Sequence, residues 1–336
     1  MLERGVTRLT VKQAGLALPE HSQMDPDNWE ASCVITGHLV AALRGQVEFR
    51  TADHSACLRE GRTAVRRRGQ IRVEEALTAA LEGPPVLHAR CLQRAAKTGA
   101  WLTVQPSTVN GTGLGAQEWH DALFLRYGLG PPELHTYCDG CQAKFSISHE
   151  LDCKKGGLIT ARHNELCDGV EDLSGKAFTS SHVHDDPLIY SGRSVKRTKA
   201  MPARANGNSG HTAAPEVTEQ KEDLLTRDLC QQGTNSFHKM HVVNTDAPTY
   251  QKKESEKCLH EAERGKNKMY PEACLQQRRH FSPFVPSVDG LLGVEVTATL
   301  KSIASRLDTK WKQYYSNTYG YVNSRIAITL VRATQS

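Results

Sequence analysis

Within CDGCQAKFSISHELDC, Cys138, Cys141, His149 and Cys153 fall in the pattern C-x2-C-x7-H-x3-C. Thiolate and imidazole are the ligands that a tetrahedral zinc ion takes, and four of them leave no position for water or substrate. The chemistry implied is a structural zinc site. Asp139-Gly140 suits the tight turn that a C-x2-C pair needs. His149 and Cys153, four apart, share one face if a helical turn carries them. The binding energy of such an ion would help fold a stretch with few apolar residues. The competing reading is two thiols that stand near an unrelated histidine and cysteine. Cys33, Cys57, Cys91, Cys167, Cys230, Cys258 and Cys274 have no comparable spacing and read as buried or incidental.

A second kind of chemistry is suggested by charge. The net charge is only +5 over 336 residues, but the basic residues are clustered. Arg66, Arg67, Arg68 and Arg72 form one group, and Arg193, Lys196, Arg197, Lys199 and Arg204 lie in a segment from Pro187 to Pro215 with no acid. Such patches meet phosphate backbones, so DNA, RNA or both are the expected partner; solvated basic loops are the competing reading. No apolar run approaches the ~18 residues that a membrane span needs, and nothing indicates a small-molecule substrate. The opening MLERGVTRLTVKQ lacks the apolar centre of a secretory signal. A nuclear or cytoplasmic protein with reduced cysteines is therefore expected.

The elements that must carry these residues read as a mixed α/β (α+β) chain. A short helix is expected around His38 to Leu43, and helix again over residues 60 to 100, broken at Gly83-Pro84-Pro85. Trp119, Leu123, Phe124 and Tyr127 recur at helical spacing and read as core. Leu166, Val170 and Leu173 give one apolar face to a helix after the cysteines. Residues 200 to 215 carry too little apolar surface to order and read as part of a mobile loop, 191–218. Strands are expected near Leu224-Leu225 and from Met240 to Val243, with a turn at Gln232-Gly233-Thr234-Asn235 between them. A charged helix from Ser255 to Arg279, a strand from Phe281 to Val285 and a helix with Val296, Leu300, Ile303, Ala304, Leu307 and Trp311 on one side complete the pattern.

LGAQEWHDALFLRYGLGPP, the cysteine segment, DCKKGGLITARHNEL and the strands beyond resemble the C-terminal region of non-LTR retrotransposon polyproteins that carry a restriction-like endonuclease. In that family a CCHC finger follows the reverse transcriptase, then an Arg-His-Asn element, then a PD-(D/E)XK nuclease core. Arg162-His163-Asn164 match the second element, and LTVKQAGLALPE resembles the segment after the polymerase thumb, with only Gly15-Leu16 matching cleanly. The resemblance implies a helical region at 1–134, a finger at 135–157, a restriction-endonuclease-like domain with a central sheet at 158–290 and C-terminal helices at 291–336. It implies that Arg162, His163 and Asn164 join Arg193, Lys196, Arg197 and Lys199 on nucleic acid. No Asp-Asp polymerase strand is present.

Metal-dependent phosphodiester cleavage needs clustered carboxylates to hold magnesium and a lysine to offset developing charge. The resemblance assigns Asp223 as the first carboxylate, with Glu165 or Glu171 as a helix acid and Lys266 and Tyr270 as a Lys-x3-Tyr pair on the next helix. Where the family has its second acid, FHKMHVV has Lys239, and Glu222 stands where the signature has proline. A lysine there opposes a divalent ion, so magnesium is expected only if another acid, such as Asp228 or Asp246, takes its place. The expected function is a nucleic-acid-binding, retroelement-derived fragment with a structural zinc and a broken nuclease centre. An active endonuclease that nicks target DNA, a zinc-stabilised interaction module and a drifting reading frame are the alternatives.

Overall fold

The computed structural model of the chain describes residues 4–18, 21–82, 86–130, 135–155, 158–178, 183–185, 188–189, 220–221, 223–229, 233–270, 274 and 278–334. Expectations for the loop 191–218, including Arg193, Lys196, Arg197 and Lys199, fall outside those residues. The chain mixes helix and sheet and divides into two compact units. One takes Met1–Gln105 and Trp119–Pro132; the other takes Pro106–Glu118 and Glu133–Ser336.

The first unit is helical over its described residues: α1 Arg4–Arg8, α2 His21–Leu43, α3 Thr51–Glu82, α4 Val86–Ala95 and most of α5 Ala116–Arg126. The short helix expected at His38 is the end of a 23-residue one. Helices α2 and α3 are poorly amphipathic because most of their residues face solvent. They are tied by Asp27, which ion-pairs with Arg68 and Arg72, and by Glu30, which holds Arg68 at 2.5 Å. A small core of Val6, Ala14, Leu92, Ala95 and Tyr127 lies beside them, and the Tyr127 hydroxyl donates to Ala14 O at 3.0 Å. Trp119, expected as core, is 39% exposed, with its ring edge-on to Trp101 at 5.0 Å.

In the second unit, α6 Ile147–Asp152 and α7 Leu158–Ala177 precede a sheet of order β1-β4-β5-β6. Its strands are β1 Val183–Asp185, β4 Leu224–Arg227, β5 Asn235–Met240 and β6 His280–Phe284. Two short strands, β2 Leu188–Ile189 and β3 Gln220–Lys221, pair with each other apart from it. β1, β4 and β5 run antiparallel in turn, and β6 is parallel to β5. Parallel neighbours need a crossover; α8 Ser255–Met269 lies between β5 and β6 in the chain and packs on β6. The order is helix, three strands, helix, strand.

β5 begins five residues before the expected Met240. Its interior positions are buried on both faces and include the polar Ser236 and His238, so no alternating apolar pattern marks it. The turn before it is as expected, with Gly233 at φ 76°. α8 stops at Met269, ten residues short of the expected end at Arg279.

The core joins Leu166, Val170 and Leu173 of α7 to Leu224, Met240 and Phe284 of the sheet. It continues into α9 Val294–Trp311 and α10 Tyr315–Ala333 through Leu300, Ile303, Leu307, Val322, Ile326 and Leu330. The helices after residue 291, expected as a flank, thus build the same core as the sheet. α7 and α10 approach closely because position 169 is glycine: a Cβ there would stand 2.7 Å from Thr329 Oγ1.

Candidate metal centre and central-strand site

The cysteine segment folds as a small hairpin followed by one short helix. Tyr137 bridges Lys144, Cys138 N donates to Ala143 O at 2.9 Å and Phe145 N donates to Thr136 O at 2.9 Å. The turn closes with Gln142 N on Cys138 O at 2.8 Å. Gln142 takes the left-handed conformation, φ 61°. Ser146 then caps α6, its side chain accepting from His149 N at 3.1 Å. That cap fixes the helix start, so His149 and the C-cap residue Cys153 face the hairpin.

The four side chains converge. Cys138 Sγ and Cys153 Sγ are 3.6 Å apart, and Cys141 Sγ is 3.1 Å from His149 Nε2. All four candidate ligand atoms lie within 4.8 Å of one another, and among the described residues they form the one such cluster of His, Cys, Asp or Glu. Two sulfurs bound to one zinc at about 2.3 Å stand about 3.8 Å apart in a tetrahedron. The donor set therefore fits a four-coordinate ion and can hold a metal. The Cys141 and Gly140 amides draw the Cys138 thiol pKa down, yet burial and the adjoining thiols push it up to about 11. A cation is the partner that would relieve that crowding. Among the described residues no disulfide is formed.

Arg162 does not reach the surface. It is 4% exposed, and its Nη1 donates to Leu151 O at 3.1 Å, which ties α7 to the last turn of α6. A guanidinium so buried is not placed to make the phosphate contact expected of it. Burial draws its pKa down, opposed by Asp152 and Glu150 nearby. Asn164 is exposed, and His163 points to the sheet.

Asp223, just before β4, stands opposite Lys239 of β5, since Leu224 pairs with His238 in the register. Lys239 Nζ donates to Asp223 Oδ1 at 2.7 Å, Met240 N donates to Oδ2 at 2.6 Å and His163 Nε2 lies 3.3 Å from Oδ1. Burial pushes the carboxyl pKa up, but His163 and Lys239 outweigh it and hold it below the usual range. Both oxygens are engaged by protein donors, and an ammonium stands where a cation would. The residues present do not fit magnesium. Asp228 is no substitute: it closes the hairpin at the other end of β4, its side chain accepting from Gly233 N, and the four residues of β4 between them set it roughly 16 Å from Asp223. Asp246 lies beyond β5, its amide donating to Asn244 Oδ1.

Lys266 of α8 stands near enough for its charge to act on His241, while Tyr270, the C-cap of that helix, packs against Lys266 and β6. Lys266 Nζ sits 5.9 Å from the centre of the Tyr270 ring, which stacks on Phe281 of β6 at 5.1 Å. His241, one residue past β5, registers the gathering. Its pKa falls to about 4 through desolvation and through the charges of Lys266, His163 and Lys239, against the opposing pull of Asp223. The sequence reading missed His241, whose only signal was its place two residues beyond Lys239. The carboxylate is already paired with one ammonium and lies near a second, so no excess of negative charge is left there for a divalent cation.

No described helix is long and apolar enough to cross a membrane. No protein-family model matches the chain, and no curated protein matches it.

Proposed function

We propose that the chain is a retroelement-derived nucleic-acid-binding protein in which a zinc-held finger precedes a restriction-endonuclease-like core whose catalytic centre has been neutralised. The observation that carries the reading is the Lys239 ammonium, 2.7 Å from Asp223 across the two central strands, where the resembled family has its second metal-binding acid. The helix, three-strand, helix, strand order around it is the one such a core has. The finger's Cys3His set, with thiolate in the majority, suits zinc above harder divalent ions.

Arg66 and Arg67, which stand beside the ion-paired Arg68, and the basic segment from Arg193 to Arg204 would hold phosphates without cutting between them. Full-length protein with plasmid DNA and magnesium or manganese should give no nicking above background. It should still bind nucleic acid, with affinity falling as salt rises. Robust nicking that disappears in Asp223→Ala would overturn the reading.

A further inference from the structure

Eleven residues, Trp311 to Tyr321, contain five of the chain's 20 aromatic side chains, and core packing accounts for two of them. Tyr319 and Tyr321 are rooted on the core. The other three project from the turn between α9 and α10, with Trp311, Tyr315 and Tyr314 being 38%, 43% and 80% exposed. Two of these are held in place by the rooted pair. Tyr315 stacks on Tyr319 at 6.0 Å and 12°, and Trp311 meets Tyr321 edge-on at 5.5 Å. Rings fixed in this way lose little freedom when a flat ligand lands on them.

The charges that follow Asp308 along the chain are of one sign. From Thr309 to Ser336 there is no acidic residue, and Lys310 and Lys312 flank Trp311. Lys312 is the left-handed cap at φ 53° and is exposed; Lys310 Nζ donates to a neutral carbonyl, Lys176 O, and so keeps its charge uncompensated there. Asp308, just before, accepts from Thr309 Oγ1 at 3.0 Å.

From this arrangement we infer that the α9–α10 turn is a stacking platform for the unpaired bases of a single-stranded nucleic acid, with Tyr314, Tyr315 and Trp311 against the bases and Lys310 and Lys312 toward the phosphates. Aromatic faces beside lysines are what sequence-tolerant single-strand sites use, because every base has a π-face. A protein-binding face on the same rings would need apolar surface around them to exclude water. Their neighbours are instead Lys312, Gln313, Ser316 and Asn317, all exposed. The inference rests on the proposed reading only for the class of polymer; its residues are different ones.

The test uses the full chain and fluorescence anisotropy with labelled oligo(dT), oligo(U) and a mixed-sequence duplex. Tyr314→Ala/Tyr315→Ala should weaken single-strand binding about tenfold and leave duplex binding unchanged. Tyr314→Phe/Tyr315→Phe, which keeps the rings, should bind as the parent does. Melting curves check folding, and Tyr314→Ala alone, which removes only the most exposed ring, serves if the double variant melts early. Unchanged oligonucleotide affinity in the folded alanine variant, or equal losses on single strand and duplex, sinks the platform but leaves the proposed function standing. If the parent binds no nucleic acid of any form, both fall.

Discussion

Lys239 and Asp223 face each other across adjacent antiparallel strands, ammonium to carboxylate at 2.7 Å, with side chains 20% and 8% exposed. Each satisfies the other, and on the proposed reading the pair fills the position from which a nuclease of the resembled family would hold its ion.

Removing the ammonium should expose that dependence. Breaking a buried pair costs about 3–5 kcal/mol. Here His163 and the Met240 amide remain on the carboxylate, and Lys239 is partly solvated, so Lys239→Ala should cost about 2 kcal/mol. Urea unfolding measures this. Lys239→Glu should be less stable still without divalent ions, because two carboxylates then meet. Manganese should raise its melting temperature and leave the parent's unchanged. An equal response in both proteins would mean that the strand pair does not control ion binding.

The finger should carry one zinc per chain by elemental analysis, and Cys153→Ser should lower the content severalfold. Chelation should release protection from hydrogen exchange in the hairpin and α6, since Cys138 and Cys153 come from opposite ends of that segment. Zinc-free protein with unaltered exchange there would refute a structural ion.

Arg162→Ala should act on the finger and leave phosphate binding alone. The lost bond to Leu151 O frees a buried acceptor, a cost of about 1–3 kcal/mol, so zinc should transfer faster to a chelator. The slope of log affinity against log salt should stay as in the parent, because a buried guanidinium releases no counterions from a phosphate. A slope reduced by about one unit would place Arg162 on the backbone after all.

Acid should weaken the sheet before carboxylates titrate. His238 is fully buried on β5, its Nε2 2.9 Å from Thr226 Oγ1, and burial holds its pKa down at about 4 against 6.5. The folded state thus refuses a proton that the unfolded chain accepts. Its contribution is complete above pH 6.5 and is withdrawn as pH falls toward 4, by up to about 3 kcal/mol. Asp223, with its pKa lowered, adds a further loss below the ordinary carboxylate range. Urea midpoints at pH 7 and pH 5 should differ less in His238→Gln than in the parent; an identical pH slope would remove His238 from the account.

The Cys3His cluster was legible because its spacing marks it, and the faces of α7 and α9 were legible because Leu166, Val170, Leu300 and Leu307 repeat at helical period. β5 was placed too late because Ser236 and His238 are buried polar residues that hydropathy assigns outward. α2 and α3 were underestimated for the opposite reason: they lie largely in water and carry little periodic signal. Arg162 misled because an arginine reads the same whether it meets a phosphate or a helix-end carbonyl. His241 joins the group around Asp223 only through the packing of α7 and α8 beside the end of β5, which no local pattern encodes.

The partnership of Arg325 with Asp172 spans 153 positions of sequence, and with Gly111 O it spans 214. During synthesis α7 must therefore leave the ribosome and wait for α10 while Leu166, Val170 and Leu173 lack their cover. Closure across such distances is slow, because loop entropy is lost before the contacts reward it. The nascent chain should linger as a sticky intermediate that chaperones would hold.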